Sequence, residues 1–478
     1  MNLYEKFAGE IEQQVLRGVL RPGERIPSVR RAKTHHQLSI TTVLRAYMLL
    51  ESKGLIESRP QSGYFVRSTV PEKRGTMVPK TSAPRPLALS SKVDVSHLVV
   101  TTLRSISANH ALPLGSPYPD TTWFPIQRLN RYTYSISRRQ TEWGMPTELP
   151  LGRPELIREI AKRYLQEGTI VDPGEIVVTL GATEAINLCL QAVARPGAIV
   201  AVESPAFYSM LHAIERLGMR AMEIPTDPRT GMDVNALELL IKRQRVAACM
   251  VMPNFQNPLG FQMPDEAKQK LVALMTKRGV PIIENAVCNE LYFGESFPTT
   301  LRAFDTKGIV LQCGSFSKTL APTLNVGWVL TGQYRAQIEK LKFLNRVTTP
   351  SVSQLAIAEF LQRDGYDHHL RRLRKIYAQQ VRLMTSAIAR FFPPGTRISR
   401  PAGGYMLWVE LDRRIHSMEL YRRALECGMT VGPGCMFSAS KAYGHCIRLN
   451  FSYAWSPKVE AALAQLGQIV STMLSDAS

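Results

Sequence analysis

The stretch GSFSKTLAPTLNVGW, residues 314–328, holds a lysine between small hydroxyl residues. Lys318 follows the apolar run GIVLQCG and sits on the Ser-rich turn SFSK; a Gly-Trp pair after it starts a further buried strand. An amine at such a strand end can form an imine with an aldehyde, and Ser315, Ser317 and the turn amides can bind an attached phosphate. Upstream, TLGATEAINLCL puts Gly181-Ala182-Thr183 where a strand ends and a helix begins. Small residues there let backbone N–H groups approach a phosphate at a helix N-terminus. A Gly-Ala-Thr triplet is also an ordinary tight turn, and a lysine on a turn is also an ordinary solvated charge. The elements around them must decide.

From about residue 105 the chain alternates helical segments with the apolar runs EIVVTL, GAIVAVE, AACMVMP, VPIIEN and GIVLQCG. This alternation predicts a doubly wound α/β domain with a mainly parallel sheet. The last hundred residues mix a helix, HHLRRLRKIYAQQVRLMTSAIARFF, with the strand-like GGYMLWVEL and CIRLNFSY, a smaller α+β lobe. Residues 67–92 are dense in Pro, Ser, Thr and Lys, which reads as a linker. The expected organisation is a block at 1–66, a linker over 67–104 and a large domain over 105–478.

At 478 residues the chain exceeds one ordinary core. It holds no run of about 18 apolar residues to span a membrane, and its first residues lack the apolar region of a signal peptide. Seven scattered cysteines with no C-x-x-C pair argue for reduced thiols in the cytoplasm and against zinc or a disulfide frame. The formal net charge of +20 suits a polyanionic partner, although a basic solvated surface has the same sum.

The position of the charges separates these readings. In PGERIPSVRRAKTHHQLSITTVLRAYMLLESKGLIESRPQSGYFV, Ser28 and Ser39 can each cap a helix. Val43, Ala46, Leu49 and Leu50 share one face of the second helix, leaving Thr41, Thr42 and Arg45 on the other, with donors for phosphates and base edges. LIESRPQSGYFV then forms a hairpin with a polar tip at Arg59–Gly63. This is a helix-turn-helix followed by a wing.

The block closely resembles the winged-helix domain of GntR-type transcription regulators in PG-x-x-(I/L)PS-x-R, the Ser/Thr-rich second helix and the wing G-x-(F/Y)-V. By that resemblance Arg30, Ser39, Thr41, Thr42, Arg45, Gln61 and Gly63 face double-stranded DNA. Over roughly 110–470, ESPAFY, PNFQNPLG, IIEN, SFSK and CIRLNF fall in the order of fold type I aminotransferases dependent on pyridoxal 5'-phosphate. The resemblance implies that Lys318 is the Schiff-base lysine, that Asn257 contacts the cofactor's phenolic oxygen and that Phe207 stacks on its ring. It implies further that Ala182, Thr183 and Ser315 hold the phosphate and that Arg448 clamps the carboxylate of an amino-acid ligand. Winged helix, linker and aminotransferase-like domain together resemble the MocR subgroup, which implies a domain-swapped homodimer and a large domain that senses pyridoxal phosphate or an amino compound.

Three positions depart from that pattern. Asn285 stands where the resemblance expects an Asp to hold the pyridine nitrogen protonated, the condition for an electron sink. Three residues on, Cys288 stands for a Tyr, and Asn325 for an Arg that clamps the phosphate. A missing charge-assisted contact costs about 1.5–3 kcal/mol, roughly ten- to a hundredfold in affinity. These departures weigh against catalytic transamination. The sequence leaves three functions open: a regulator that senses through its cofactor, an active aminotransferase, and a regulator that has lost the cofactor.

Overall fold

A computed structural model describes residues 2–16, 20, 23–59, 63–66, 90–108, 111–139, 151–363 and 365–476. The chain divides into two compact units, 1–75 and 76–478.

In the first unit, apolar residues at helical spacing bring together the helices Leu3–Leu16, Val29–His36 and Ile40–Ser52. Ser28 accepts from the Arg31 N–H at 3.3 Å and Ser39 from the Thr42 N–H at 3.0 Å, so both helices start where the sequence places their caps. Val43, Ala46, Tyr47 and Leu50 are buried, whereas Leu49 is half-buried. Tyr47 ties the third helix to the start of the second by donating to the Pro27 carbonyl at 2.6 Å. Ile56–Arg59 pairs antiparallel with Gly63–Val66, forming the wing.

The second unit is built on a nine-stranded sheet. Its main path runs Ser91–Lys92, Arg220–Asp227, Ile199–Ser204, Val246–Val251, Ile282–Asn285, Val310–Ser315, Gly327–Leu330, Ile176–Thr179. The five strands from Arg220–Asp227 to Val310–Ser315 are parallel. The five apolar runs picked out in the sequence all lie in this sheet, and they are apolar because helices cover both of its faces. Register then fixes the site: Asn285 pairs with Cys313, Ser315 with Gly327, and Gly327 with Thr179. The carboxyl ends of three strands therefore meet, where open α/β sheets bind ligands. The approach is tight, because a β-carbon on Gly327 would lie 2.5 Å from the Gly181 carbonyl carbon.

A smaller antiparallel sheet runs Arg397–Ile398, Met406–Glu410, Cys446–Asn450, Gly432–Pro433, with the helices Tyr366–Phe391, Ser417–Glu426 and Pro457–Asp476 around it.

The linker expected through 104 gives way earlier. Residues 67–89 lie outside the described residues, but Ser91–Lys92 pairs with Arg220–Asp227 and Ser96–Ala108 is a helix. Two interactions order this stretch. Val93, Val95 and Val99 are buried, and the Glu215 carboxylate accepts from the N–H groups of Val95 and Ser96 at 2.9 and 3.0 Å.

Candidate functional site

In the first unit, Arg30, Thr41 and Arg45 are exposed and Thr42 is half-buried. Ser39 is exposed and also engaged locally: beyond its cap its hydroxyl lies 2.8 Å from the Thr42 hydroxyl at the helix start. Gly63 has φ +99 and would, with a β-carbon, press on the Arg25 guanidinium at 3.2 Å. Arg25 bridges to Phe65 at the wing, a cation the sequence reading passed over although it stands inside the PGERIPS motif. Gln61 lies outside the described residues.

In the second unit, Lys318 ends a short helical turn, Phe316–Lys318, directly after the strand Val310–Ser315. Its Nζ donates to the Pro117 carbonyl at 3.2 Å and lies 4.5 Å from the centre of the Tyr118 ring. Among the described residues no carboxylate pairs with it. Burial pulls its ammonium down to about 8; Cys288 opposes the drop and the Arg448 charge adds to it. Burial also pushes the Cys288 thiol up to about 12 against the pull of Lys318, so Cys288 stays protonated beside the amine.

Ser315 accepts from the Ser317 N–H at 3.0 Å and lies 2.9 Å from the Ser317 hydroxyl. Across from this turn, the helix Gly181–Val193 begins with Gly181 at φ +73, and its N-cap, Leu180, makes no side-chain bond to the first turn. The N–H groups at Gly181, Ala182 and Thr183 therefore lack a side-chain cap, as an anion cradle requires. Asn285 ends its strand with 2% exposure, its Oδ1 accepting from the Val287 N–H at 3.4 Å. Phe207 is the half-buried N-cap of Tyr208–Arg216. Asn325 is exposed, at φ 48 in the left-handed region that Asn tolerates, so a backbone requirement accompanies its departure from the family pattern.

Arg448, opposite Trp408 and Gly432 in the small sheet, has no exposed surface. Nη1 donates to Asn257 Oδ1 at 3.3 Å and Nη2 to the Gly115 carbonyl at 2.6 Å. Its guanidinium carbon lies 5.1 Å from the Phe437 ring centre and 5.6 Å from that of Tyr208. Nε is buried with no acceptor, and among the described residues no carboxylate neutralises the charge. Sequence reasoning found Arg448, Asn257 and Lys318. It missed the segment Gly115–Tyr118, whose carbonyls hold both cations and leave no side-chain signature.

Comparison with known proteins agrees with this division. Residues 3–66 match the model of bacterial regulatory proteins, gntR family, and residues 149–466 that of aminotransferase class I and II. The chain is 38% identical over 474 residues to the HTH-type transcriptional regulator YdcR of Escherichia coli, covering 99% of this chain and all of that one. The chain belongs to the MocR-type regulators of the GntR family. As a MocR-type regulator it is a transcription regulator, its gntR helix-turn-helix implies DNA binding, and its class I and II fold implies pyridoxal phosphate. The chain is also 29% identical over 365 residues to the 2-aminoadipate transaminase of Thermus thermophilus, covering 76% of this chain and 90% of that one. A solved structure of LysN, the α-aminoadipate aminotransferase of that organism complexed with N-(5'-phosphopyridoxyl)-L-leucine, superposes with TM-score 0.72 at 27% identity, over 78% of this chain and 95% of that one. Among the described residues of this MocR-type chain, no helix is long and apolar enough to cross a membrane.

Proposed function

We propose that this regulator senses an amino compound through pyridoxal phosphate held at Lys318, and changes its grip on DNA without turning the ligand over. One observation carries the reading: Arg448 is a fully buried guanidinium with an unpaired Nε and no carboxylate partner among the described residues. Burying a charge without compensation costs several kcal/mol. A ligand carboxylate supplies that compensation, and guanidinium binds it through two parallel bonds.

The residues present fit the cofactor. Ala182 and Thr183 at the uncapped helix start, with Ser315 and Ser317, would hold the phosphate; Asn257, Asn285 and Phe207 would hold the ring; Lys318 would bond it. When bound, the cofactor supplies an aldehyde carbon to amines and a ring that withdraws electrons. The remaining chemistry belongs to this chain. Lys318, with its ammonium held near 8, provides neutral amine close to physiological pH. Arg448 orients a carboxylate. Asn285 would meet the ring nitrogen with an amide, which can hydrogen-bond but brings no countercharge, and Cys288, a protonated thiol, offers no strong base. Amine exchange at Lys318 is thus supported while removal of an α-proton is not.

The regulator would act as a homodimer, domain-swapped as its family resemblance suggests, reading two half-sites by two-fold symmetry. Its place would be the cytoplasm, consistent with seven free cysteines. The intact set of Lys318, Asn257 and Arg448 favours the second reading, an active aminotransferase.

The experiment is a gel shift on operator DNA with a panel of amino acids, run beside visible absorption spectra before and after borohydride. An amino acid should change operator affinity in the wild type and not in Lys318→Ala. Rapid formation of a keto acid would restore the enzyme reading, and a protein that never retains cofactor would leave a regulator without it.

A further inference from the structure

We propose that a cleft beside the first turns of the helix Tyr366–Phe391 is a second ligand site, taking a small oxyanion of the phosphate-ester or dicarboxylate class. The cleft has a volume of about 250 Å³, with Trp123, Phe124 and Phe360 as aromatic walls and Arg128, His368 and Arg372 as its basic residues. Arg128 comes from the helix Ile126–Arg139 and Arg372 from the second turn of Tyr366–Phe391, so two separate segments deliver charge to one space. Either arginine alone would be an ordinary solvated residue, since both are exposed. Their convergence over apolar walls is what makes a site. Two like charges repel there, and low-dielectric walls strengthen attraction to an anion between them.

The neighbouring acids are engaged elsewhere. Asp367 pairs with Arg163 at 3.1 Å, and Asp120 accepts from the Thr122 N–H and hydroxyl at 2.9 and 2.8 Å. Asp364 lies outside the described residues. Among those described, no carboxylate pairs with Arg128, His368 or Arg372. Gly365 also lines the cleft and caps the helix with no side-chain bond, so the positive end of a 26-residue helix meets the same space.

The cleft also touches the machinery of Lys318. Thr319 follows that lysine; its carbonyl lies 2.7 Å from His369 Nε2 and its hydroxyl 2.7 Å from the Tyr366 hydroxyl. The helix turn that lines the cleft therefore holds the turn that carries the amine, and an anion seated there biases the Lys318 turn. The site itself stands without the cofactor reading; only its coupling to Lys318 rests on it.

The test is calorimetry on the full-length protein with inorganic phosphate and with glutarate, at ionic strength matched with chloride. Saturable binding is expected, weakened about tenfold or more in R128A/R372A through loss of charge-assisted bonds, and retained in R371A, which changes a neighbouring arginine outside the cleft. Response to phosphate alone assigns the ester class, to glutarate alone the dicarboxylate class, and competition between them a shared oxyanion site. Absence of saturable binding, or equal affinity in the double variant, overturns the proposal. So does a double variant that binds phosphate normally but loses affinity for operator DNA, which would make the cleft a DNA contact. A shift of the visible cofactor band on phosphate binding, absent in R128A/R372A, carries the coupling; binding without that shift removes the coupling and leaves the site.

Discussion

On the helix Ile40–Ser52, Thr41 and Arg45 stand in water, whereas in the large unit Arg448 has no exposed surface and Asn257 and Asn285 have almost none. The exposed set needs no compensation until DNA arrives, because water solvates each donor and the core beneath, around Val43, Ala46, Tyr47 and Leu50, makes no demand on them. The buried set differs: its charge and amides are taken out of water and depend on the few partners the pocket supplies, such as Asn257 and the Gly115 carbonyl for Arg448. An exposed polar face separates binding from stability, and a buried charged site couples them.

The sharpest way to break this comparison is at the exposed helix. Thr41→Ala with Arg45→Ala should lower operator affinity by about thirtyfold or more, at about 1–3 kcal/mol for each lost base contact. Thermal unfolding of either unit should not change. A gel shift and a melting curve on the same preparation test both halves, and binding should weaken steeply with salt as counterions are released.

Arg448→Met is the buried counterpart. It should abolish the response of DNA binding to amino acids, yet leave the cofactor-free protein as stable as the wild type or more so, because a buried charge whose described partners are all neutral is replaced by an apolar chain. A marked fall in melting temperature would show that the guanidinium is structural.

Asn285→Asp reverses that logic. A carboxylate in a cofactor-free pocket should cost about 1–3 kcal/mol, recovered when pyridoxal phosphate is loaded, and the half-reaction that yields a keto acid should accelerate. Melting curves with and without cofactor, beside stopped-flow spectra, read the two effects.

The last effect concerns pH. The unfolded chain keeps the ordinary lysine value of 10.5, while the folded site holds Lys318 near 8. Between those values the unfolded state binds more protons, so the Lys318 contribution to stability rises with pH across that window and is unfavourable below it. Lys318→Met should therefore be more stable than wild type at pH 7, and the gap in melting temperature should close as pH approaches 10.5.

The same division governs what could be read in advance. The parallel core was legible because strands covered on both faces, such as Val246–Val251 and Val310–Ser315, are continuous apolar runs. Ser91–Lys92 was not, being two polar residues whose strand character comes from an edge they join. Arg220–Asp227 hid behind its proline and its charges. In the site, Lys318 and Arg448 carry side-chain chemistry that a sequence displays, whereas the carbonyls of Gly115 and Pro117 that accept their hydrogen bonds could belong to any residue. The contact between Cys189 and Cys313 thiols, 3.7 Å apart across two elements, had no local signature either.

The close approach of Gly327 to Gly181 has a mechanical consequence. No side chain fits between the two backbones there, so that end of the pocket has little slack. It works as a fixed jaw. In the sensing role proposed above, travel that carries a signal out of the pocket would begin at the opposing jaw, where Arg448 hangs from the small sheet.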